Sequence, residues 1–397
     1  LGAQRYRFKP FEDESHLECI CRLQVRDRDV GAYLLNYRNQ LSFVFGFQAV
    51  GIHTLLADGQ AETVLARLES GLQGFRPGDR LRIHLRSIGT DHQRQQELSD
   101  LIESTSTLES QFLLLAQQRA TRDRTAAGQR QPKHLYLFAT YVLEPGKEAR
   151  SDRLEQALAW IISRYDTFKG LKQEKESQHY QQLLNQAFTD GYLHWEQQLN
   201  SRMGLQASPM DADALWSYLW YQFNQSTPPS VPQCLTLSDQ TGQLSLQETV
   251  TVPLHASSVL IRGEHGHPTH PKADRQWVCV KGKCIGAVVL ESKPAGFISP
   301  EHQLYYLWQA LSQFADYDCV CELAAADRTM TRMSLQRLTR QNMTATFRAN
   351  MLKDVDVASQ MRLKQGVAAQ EKIYEGALPV WVSVVVFLHR NSPTELS

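Results

Sequence analysis

"RPGDRLRIHLRSIG", residues 76–89, sets a Pro-Gly turn directly against an alternating run. Leu81, Ile83 and Leu85 fall on one side, and Arg82, His84 and Arg86 on the other. A period of two is the signature of a strand with one buried face, the kind that pairs with antiparallel neighbours. Before it, "QAETVLARLESGLQGF" repeats apolar residues at helical spacing, and "CICRLQV" and "QLSFVFGFQAVGI" read as strands. After it come a polar helix from about Gln93 to Arg119, a loop "RDRTAAGQRQPK", and a strand "HLYLFATYVLEP". Strand, helix, strand, helix, strand in this order describes an α/β or α+β lobe with long helices.

Beyond that lobe, Ser151 and Asp152 open an amphipathic helix. Leu154, Ala157, Leu158, Ile161, Ile162 and Tyr165 line one face of it. A Gln-rich helical stretch continues to about Arg202, and Asp211 and Asp213 start "DADALWSYLWYQFN". "QSTPPSVPQ" then reads as linker, so the division expected is a lobe over 1–205 and a second over 206–397, with linker-like residues 224–233. The second half predicts strands at "LSLQETVTV", "SSVLIR", "QWVCV", "CIGAVVLE" and "YDCVCELAA". Ser299-Pro300-Glu301 has the chemistry of a helix start, with Leu304, Leu307, Trp308, Leu311 and Phe314 as its apolar face. A helical tract from about Asp327 to Tyr374 precedes a last strand, "VWVSVVVFLHR". The expectation is two mixed lobes of class α+β, with largely antiparallel sheets.

A chain of 397 residues with 42% apolar and 21% charged residues is globular, and its 42 basic and 42 acidic residues cancel. That balance argues against a dedicated nucleic-acid coat and leaves room for a local basic patch. The seven cysteines include two pairs, Cys19/Cys21 and Cys319/Cys321, spaced to share a strand face as small apolar side chains. An odd total points to a reducing compartment rather than a disulfide framework. The chain opens on Leu1 without a charged-then-apolar leader, which reads as a processed piece or an excised region. Its longest apolar run, "VWVSVVVFL", is far short of the roughly 20 residues of a spanning helix, so a cytoplasmic, soluble protein is expected.

The most chemical-looking segment is "GEHGHPTHPKADRQWVCVKGKC", residues 263–284. His265, His267, His270, Cys279 and Cys284 have the donor types of a zinc site, but their spacing matches no standard pattern. Cys279 and Cys284 flank "VKGK", a strand-turn-strand on which the thiols need not converge. A solvated loop feeding a hairpin is the reading the residues favour. Gly282-Lys283-Cys284 lacks both the upstream glycine and the hydroxyl of a phosphate loop, and Glu291 after "AVVL" has no such loop to serve. Nucleophile-elbow and zinc-protease motifs are missing too. Arg328, Arg332, Arg337, Arg340, Arg348 and Lys353 form a basic tract with no acid between them. A solvated helix surface is its plain reading; nucleic acid, a membrane surface or an acidic partner are the functional ones.

The order of segments resembles the N-terminal region of the conjugative-transfer (type IV secretion) assembly ATPases. "LWSYLWYQFNQSTPP" is similar to that family's large-apolar helix ending in Asn before a proline stretch. "SSVLIRG", the histidine loop, "WVCVKGKCIGAVVLESKP" ending on Pro294, and "YDCVCELAAAD" follow in the family's order. So does "KDVDVASQMRLKQGVAAQEKIYEGALPVWVSVVVFLHRNSPTEL"; in the first half, "SFVFGFQAVGI" and "FRPGDRLRIHLRS" also fit. The family's P-loop motor lies downstream of such a strand, and the sequence stops at Ser397 before one. What the resemblance implies is an assembly and docking region, non-catalytic by itself. ATP and magnesium would belong to the motor, self-association would be hexameric in the whole protein, and partners would be other secretion components. The location implied is the cytoplasmic side of the inner membrane. Two further expectations stand beside it: a metal-stapled domain or metalloenzyme using the cluster at 265–284, and a nucleic-acid-binding accessory protein using the basic tract.

Overall fold

The computed structural model describes residues 15–37, 40–49, 58–87, 92–129, 133–143, 174–224, 226–240, 243–262, 272–290, 309–351 and 357–396. The expected starts at Ser151/Asp152 and Ser299-Pro300-Glu301 lie outside them. β1 (Leu17–Val25), β2 (Arg28–Tyr37) and β3 (Gln40–Ala49) form a meander. Its first turn is made by Arg26 and Asp27, both at positive φ, the backbone that a two-residue hairpin with matching twist needs. After α1 (Asp58–Gln73) come β4 (Arg80–Ser87), the helices α2 (His92–Ser104) and α3 (Leu108–Ala126), and β5 (Lys133–Val142), which pairs between β3 and β4.

α4 (Glu174–Gln186) runs on through π-helical stretches Ala187–Tyr192 and Gln197–Arg202 around the turn Leu193–Glu196. It lays Phe188, Tyr192, Trp195 and Leu199 on one face of the sheet, against Phe43, Phe45, Phe47, Leu81 and Leu137. The short β6 (Ala207–Pro209) leads to α5 (Ala212–Phe223), capped by the Asp211 side chain accepting from Ala214 N at 2.7 Å. α5 covers the opposite face, packing Leu215, Trp216 and Trp220 on Ile20, Tyr33, Val44 and Phe138. Strands covered on both faces have no side to leave polar, which is why "SFVFGF" reads as a continuous apolar run.

β7 (Gln233–Gln240) and β8 (Gln243–Val250) add to the outer edge of β1, and the β1–β7 pairing is parallel. The other edge, β4, is extended by β12 (Tyr317–Ala325), β13 (Val380–Arg390), β11 (Lys283–Val289), β10 (Trp277–Val280) and β9 (Lys272–Ala273), all antiparallel. The class is therefore α+β with a mostly antiparallel sheet. The strands run in one continuous sheet, however, and do not divide into one sheet per lobe at residue 205. A sheet built from residues 17–142 leaves two unpaired edges, and strands from the second half of the chain cover both. Nor does the linker-like 224–233 hang free. Trp216 Nε1 donates to Pro229 O and Trp220 Nε1 to Ser226 O, both at 2.8 Å, so the segment folds back on its own helix.

Other expectations change in detail. "SSVLIR" is helical, α6 (Ala256–Arg262), because His255 Nδ1 accepts from Ser257 N at 3.2 Å and Val259 and Leu260 bury against the α5 layer. The polar helix expected over 93–119 is the hairpin α2–α3. Thr105 Oγ1 bonds back to Leu101 O at 2.6 Å and ends the first helix, while the second runs past Arg119 into the expected loop. The tract 327–374 is likewise a hairpin, α7 (Arg328–Met351) and α8 (Val357–Tyr374). The strands β2, β6, β7 and β9 were not anticipated.

Gly31 and Gly46 let α5 approach the sheet. A Cβ at Gly31 would lie 2.5 Å from the Asp211 backbone, and one at Gly46 2.4 Å from Leu215 Cδ2. Gly31 N also donates to Met210 O at 2.8 Å. Gly31→Ala meets rigid backbone, so it should lower the unfolding free energy by about 2–3 kcal/mol in urea titration; an unchanged midpoint would contradict this packing.

Candidate functional site

The polar side of the opening strand is not solvated. Arg82 is exposed, but His84 and Arg86 are buried, and they converge on Asp318 of β12, which is paired in register with Arg86. Asp318 is 2% exposed. Its Oδ2 lies 2.8 Å from His389 Nε2, and its Oδ1 lies 3.4 Å from His84 Nε2 and 3.6 Å from Arg86 Nε. Burial raises the Asp318 pKa, but the hydrogen bonds from His389 and His84 and the charge of Arg86 outweigh it. The carboxyl is held well below the usual carboxylate range.

An ionised carboxylate only accepts, so His389 and His84 both present an Nε2–H to it. His84 Nδ1 is hydrogen-bonded to the Tyr218 hydroxyl of α5, whose pKa burial and the Asp318 charge push well above the ordinary value. The result is a buried Tyr218–His84–Asp318 chain with Arg86 and His389 beside it. Such a chain could shift a proton along itself, but a group closed to solvent cannot meet a substrate. Its chemistry is to join β4, β12, β13 and α5. A second pair, half-buried His194 and buried Asp79 at 3.0 Å, sits where Asp79 also accepts from Arg76 N and staples the turn before β4.

The hairpin β10–β11 docks at the same place. Lys281 and Gly282, both at positive φ, make a two-residue turn. Lys283 Nζ donates to Gln222 O at 3.3 Å, Arg86 Nη2 to Tyr221 O at 3.2 Å, and Lys281 Nζ to the Asn224 side chain and, at 3.3 Å, to Leu260 O. Three cations thus meet the C-terminal end of α5, where unpaired carbonyls concentrate negative charge. Burial and then the Arg86 charge push the Lys283 pKa down to about 8.

The same turn corrects the reading of the cysteines. It places Cys279 and Cys284 directly opposite each other, and they are joined in a disulfide. Two of the five candidate zinc ligands are thereby paired with each other, while His265, His267 and His270 lie outside the described residues. Among the described residues no group of three or more His, Cys, Asp or Glu is arranged to hold a metal. Cys19 and Cys21 are both buried with Sγ atoms 3.9 Å apart, and Cys319 is buried with its pKa pushed up to about 11 by burial. They pack as the sequence anticipates, and such thiols are poor nucleophiles.

Of the basic tract, Lys353 lies outside the described residues. Arg332, Arg337, Arg340 and Arg348 are exposed along α7, and Arg328 donates to Ile373 O at 2.9 Å. The surprise lies between them. Met330, Met333, Phe347 and Met351 are 59–73% exposed. With Arg337, Arg340 and Thr344 they follow a three-four spacing, one outward stripe of the helix. The half-buried side includes Thr331, Leu335, Thr339, Asn342 and Thr346, and Gln370 Nε2 of α8 donates to Thr339 Oγ1 at 2.7 Å. The hairpin is inverted: its internal seam is largely polar and its outer face apolar and basic. The α2–α3 hairpin shares the habit. No residue of α3 is buried, and Leu108, Phe112 and Leu115 form an exposed i, i+4, i+7 stripe. Counting arginines finds the charge of α7 from sequence; the outward methionines needed the partner helix to be seen.

No family model and no curated protein matches this chain. No helix among the described residues is long and apolar enough to cross a membrane.

Two outcomes follow from the buried cluster. Asp318→Asn leaves Arg86 buried without its carboxylate and should cost about 3 kcal/mol near neutral pH. Because the native pKa is depressed, that difference should shrink as pH falls below about 4. Lys283 behaves oppositely in range: its lowered native pKa means the folded chain gains stability as pH rises from about 8 towards about 10.5. Urea melts of wild type and Lys283→Met across that window should converge upward by about 1–2 kcal/mol after solvent screening. Parallel curves would show that the lysine titrates normally.

Proposed function

We propose that this chain is an assembly and docking region of a conjugative-transfer (type IV secretion) ATPase, non-catalytic by itself. The observation that carries the docking part is the pair of inverted helical hairpins, whose large apolar side chains point away from their own protein. Monomeric proteins rarely spend methionine, leucine and phenylalanine this way unless a partner covers them. The placement beside a motor is supported by the segment order, from the large-apolar helix α5 through the Lys281-Gly282 hairpin to the long last strand. In this reading the parent protein works on the cytoplasmic side of the inner membrane, held there by secretion components. Its motor would supply ATP and magnesium chemistry, and the whole would assemble as a hexamer.

The nucleic-acid reading is served less well. Arginines interleaved with Met330, Met333, Phe347 and Met351 suit an acidic protein surface, since binding to phosphate by counterion release gains nothing from methionines. The metal reading loses two donors to the Cys279–Cys284 bond.

The test exploits the geometry of the sheet. Ala325 and Val380 are paired in register, so a short turn can replace α7–α8 without disturbing β12 or β13. In cells carrying the conjugative element, that deletion should leave protein level intact and lower DNA transfer about a hundredfold or more, as expected when a docking contact worth ~3 kcal/mol is lost. Undiminished transfer would remove the reading, and so would rapid ATP hydrolysis by the purified chain.

A further inference from the structure

We propose that the α2–α3 hairpin of one copy docks on the outer face of α7 of a second copy, giving head-to-tail self-association. This deepens the docking reading above and rests on it.

The outer part of the α2–α3 arm and the whole of α7 carry opposite charge, while Arg119, Arg122 and Arg124 of α3 lie nearer the base of the arm. Residues 95–118, the outer part of α2–α3, hold Glu97, Asp100, Glu103 and Glu109 and no Lys or Arg. Arg94 pairs with Glu97 at 2.8 Å, which leaves Asp100, Glu103 and Glu109 on exposed positions. Facing them would be α7, whose 24 residues hold five arginines and no acid. The apolar groups are matched as well. Leu101, Leu108, Phe112 and Leu115 on one arm would meet Met330, Met333, Phe347 and Met351 on the other. Methionine adapts to the surface it is given, and an apolar stripe flanked by complementary charge is the usual content of a helix-on-helix contact. Residues 108–118 of α3 span about 16 Å and α7 about 36 Å, enough for such a contact to run about three turns.

Topology makes the contact intermolecular. α2–α3 joins Ser87 to Lys133 at one end of β4 and β5, whereas α7–α8 joins Ala325 to Val380. β4 pairs with β12 so that Ser87 lies by Tyr317 and Arg80 by Ala324. The arms therefore leave the sheet at opposite ends and extend away from each other, so neither can cover its complement in the same chain. Two different surfaces meeting in this way form a heterologous contact, which continues into a ring or a filament rather than stopping at two copies.

The test uses the purified full chain and sedimentation velocity over a concentration series. Wild type should form species beyond a dimer at low salt and weaken at least about tenfold between roughly 50 and 500 mM salt. The variant Arg337→Glu/Arg340→Glu, and separately the variant Asp100→Lys/Glu103→Lys/Glu109→Lys, should each lose self-association by about tenfold or more while keeping wild-type circular dichroism and melting. Mixed together, they should associate again, because each then offers the charge that the other now needs. This rescue cannot come from misfolding of either variant. A monomeric wild type, a dimer indifferent to both variants, or no recovery on mixing would each overturn the proposal. If the arms prove necessary for DNA transfer while the chain stays monomeric, the docking reading stands with a different acidic partner and self-association is refuted. If transfer does not need them, both fall.

Discussion

A carboxylate buried inside a sheet has to be matched by a cation and hydrogen-bond donors, and Asp318 is where this chain meets that demand. Arg86 from β4, His84 two residues earlier and His389 from β13 converge on it, and Tyr218 reaches His84 from the helix above. Four elements that are far apart in sequence are held in one register by one charge. The seam between β4 and β12 is also where the first half of the chain meets the second. Fixing that register there fixes how the five strands beyond it continue the sheet. Arg86 also reaches past the cluster to cap α5: it donates to Tyr221 O and Lys283 to Gln222 O, while Lys281 holds the Asn224 side chain that follows the helix.

Strands β1 to β5 are closed on both faces by aromatic helices, and strands extend the sheet at both edges. On β11 and β13, Val288, Val289, Trp381 and Val382 stay exposed. Further surface lies at the two ends of the sheet. Both helical hairpins arise there, each inserted between strands that are already neighbours, so each can vary without disturbing the pairing below it. Their cores are thin. Threonine, asparagine and glutamine fill much of the α7–α8 seam, and the apolar side chains are turned outward. A hairpin of this kind gains little from folding back on itself and gains more once something covers it, which is why the arms and not the buried polar cluster carry the functional reading.

Much of this was legible along the chain. The period of two in "RLRIHLR", the apolar "SFVFGF" and the final "VWVSVVVFLHR" placed β4, β3 and β13, and the Asp211 cap placed α5. Short segments were harder. "SSVLIR" has β-branched residues and six positions, too few for a helical period to declare itself, and the contact with the α5 layer decided it. The buried cluster left only a faint trace: a polar residue in each strand at a position where the neighbours were apolar. His84 and Arg86 looked like the wet side of a half-buried strand, since nothing local says that α5 and β12 will cover them. The disulfide was missed for a related reason. Whether two cysteines on a hairpin face each other depends on a turn of two residues or three, and one residue of register is the whole difference.

The sequence by itself determined the class, α+β with long helices and antiparallel strands, because hydrophobic period is a local property that any burial must respect. It also determined the balance of charge and the run of arginines on α7. Only the tertiary structure decided that the strands join in one sheet, that the polar face of β4 is an interior, and that the two arms point in opposite directions with their apolar sides out. Those are facts about which surfaces meet, and surfaces meet through pairings such as Arg86 with Asp318, 232 positions apart, that no window along the chain contains.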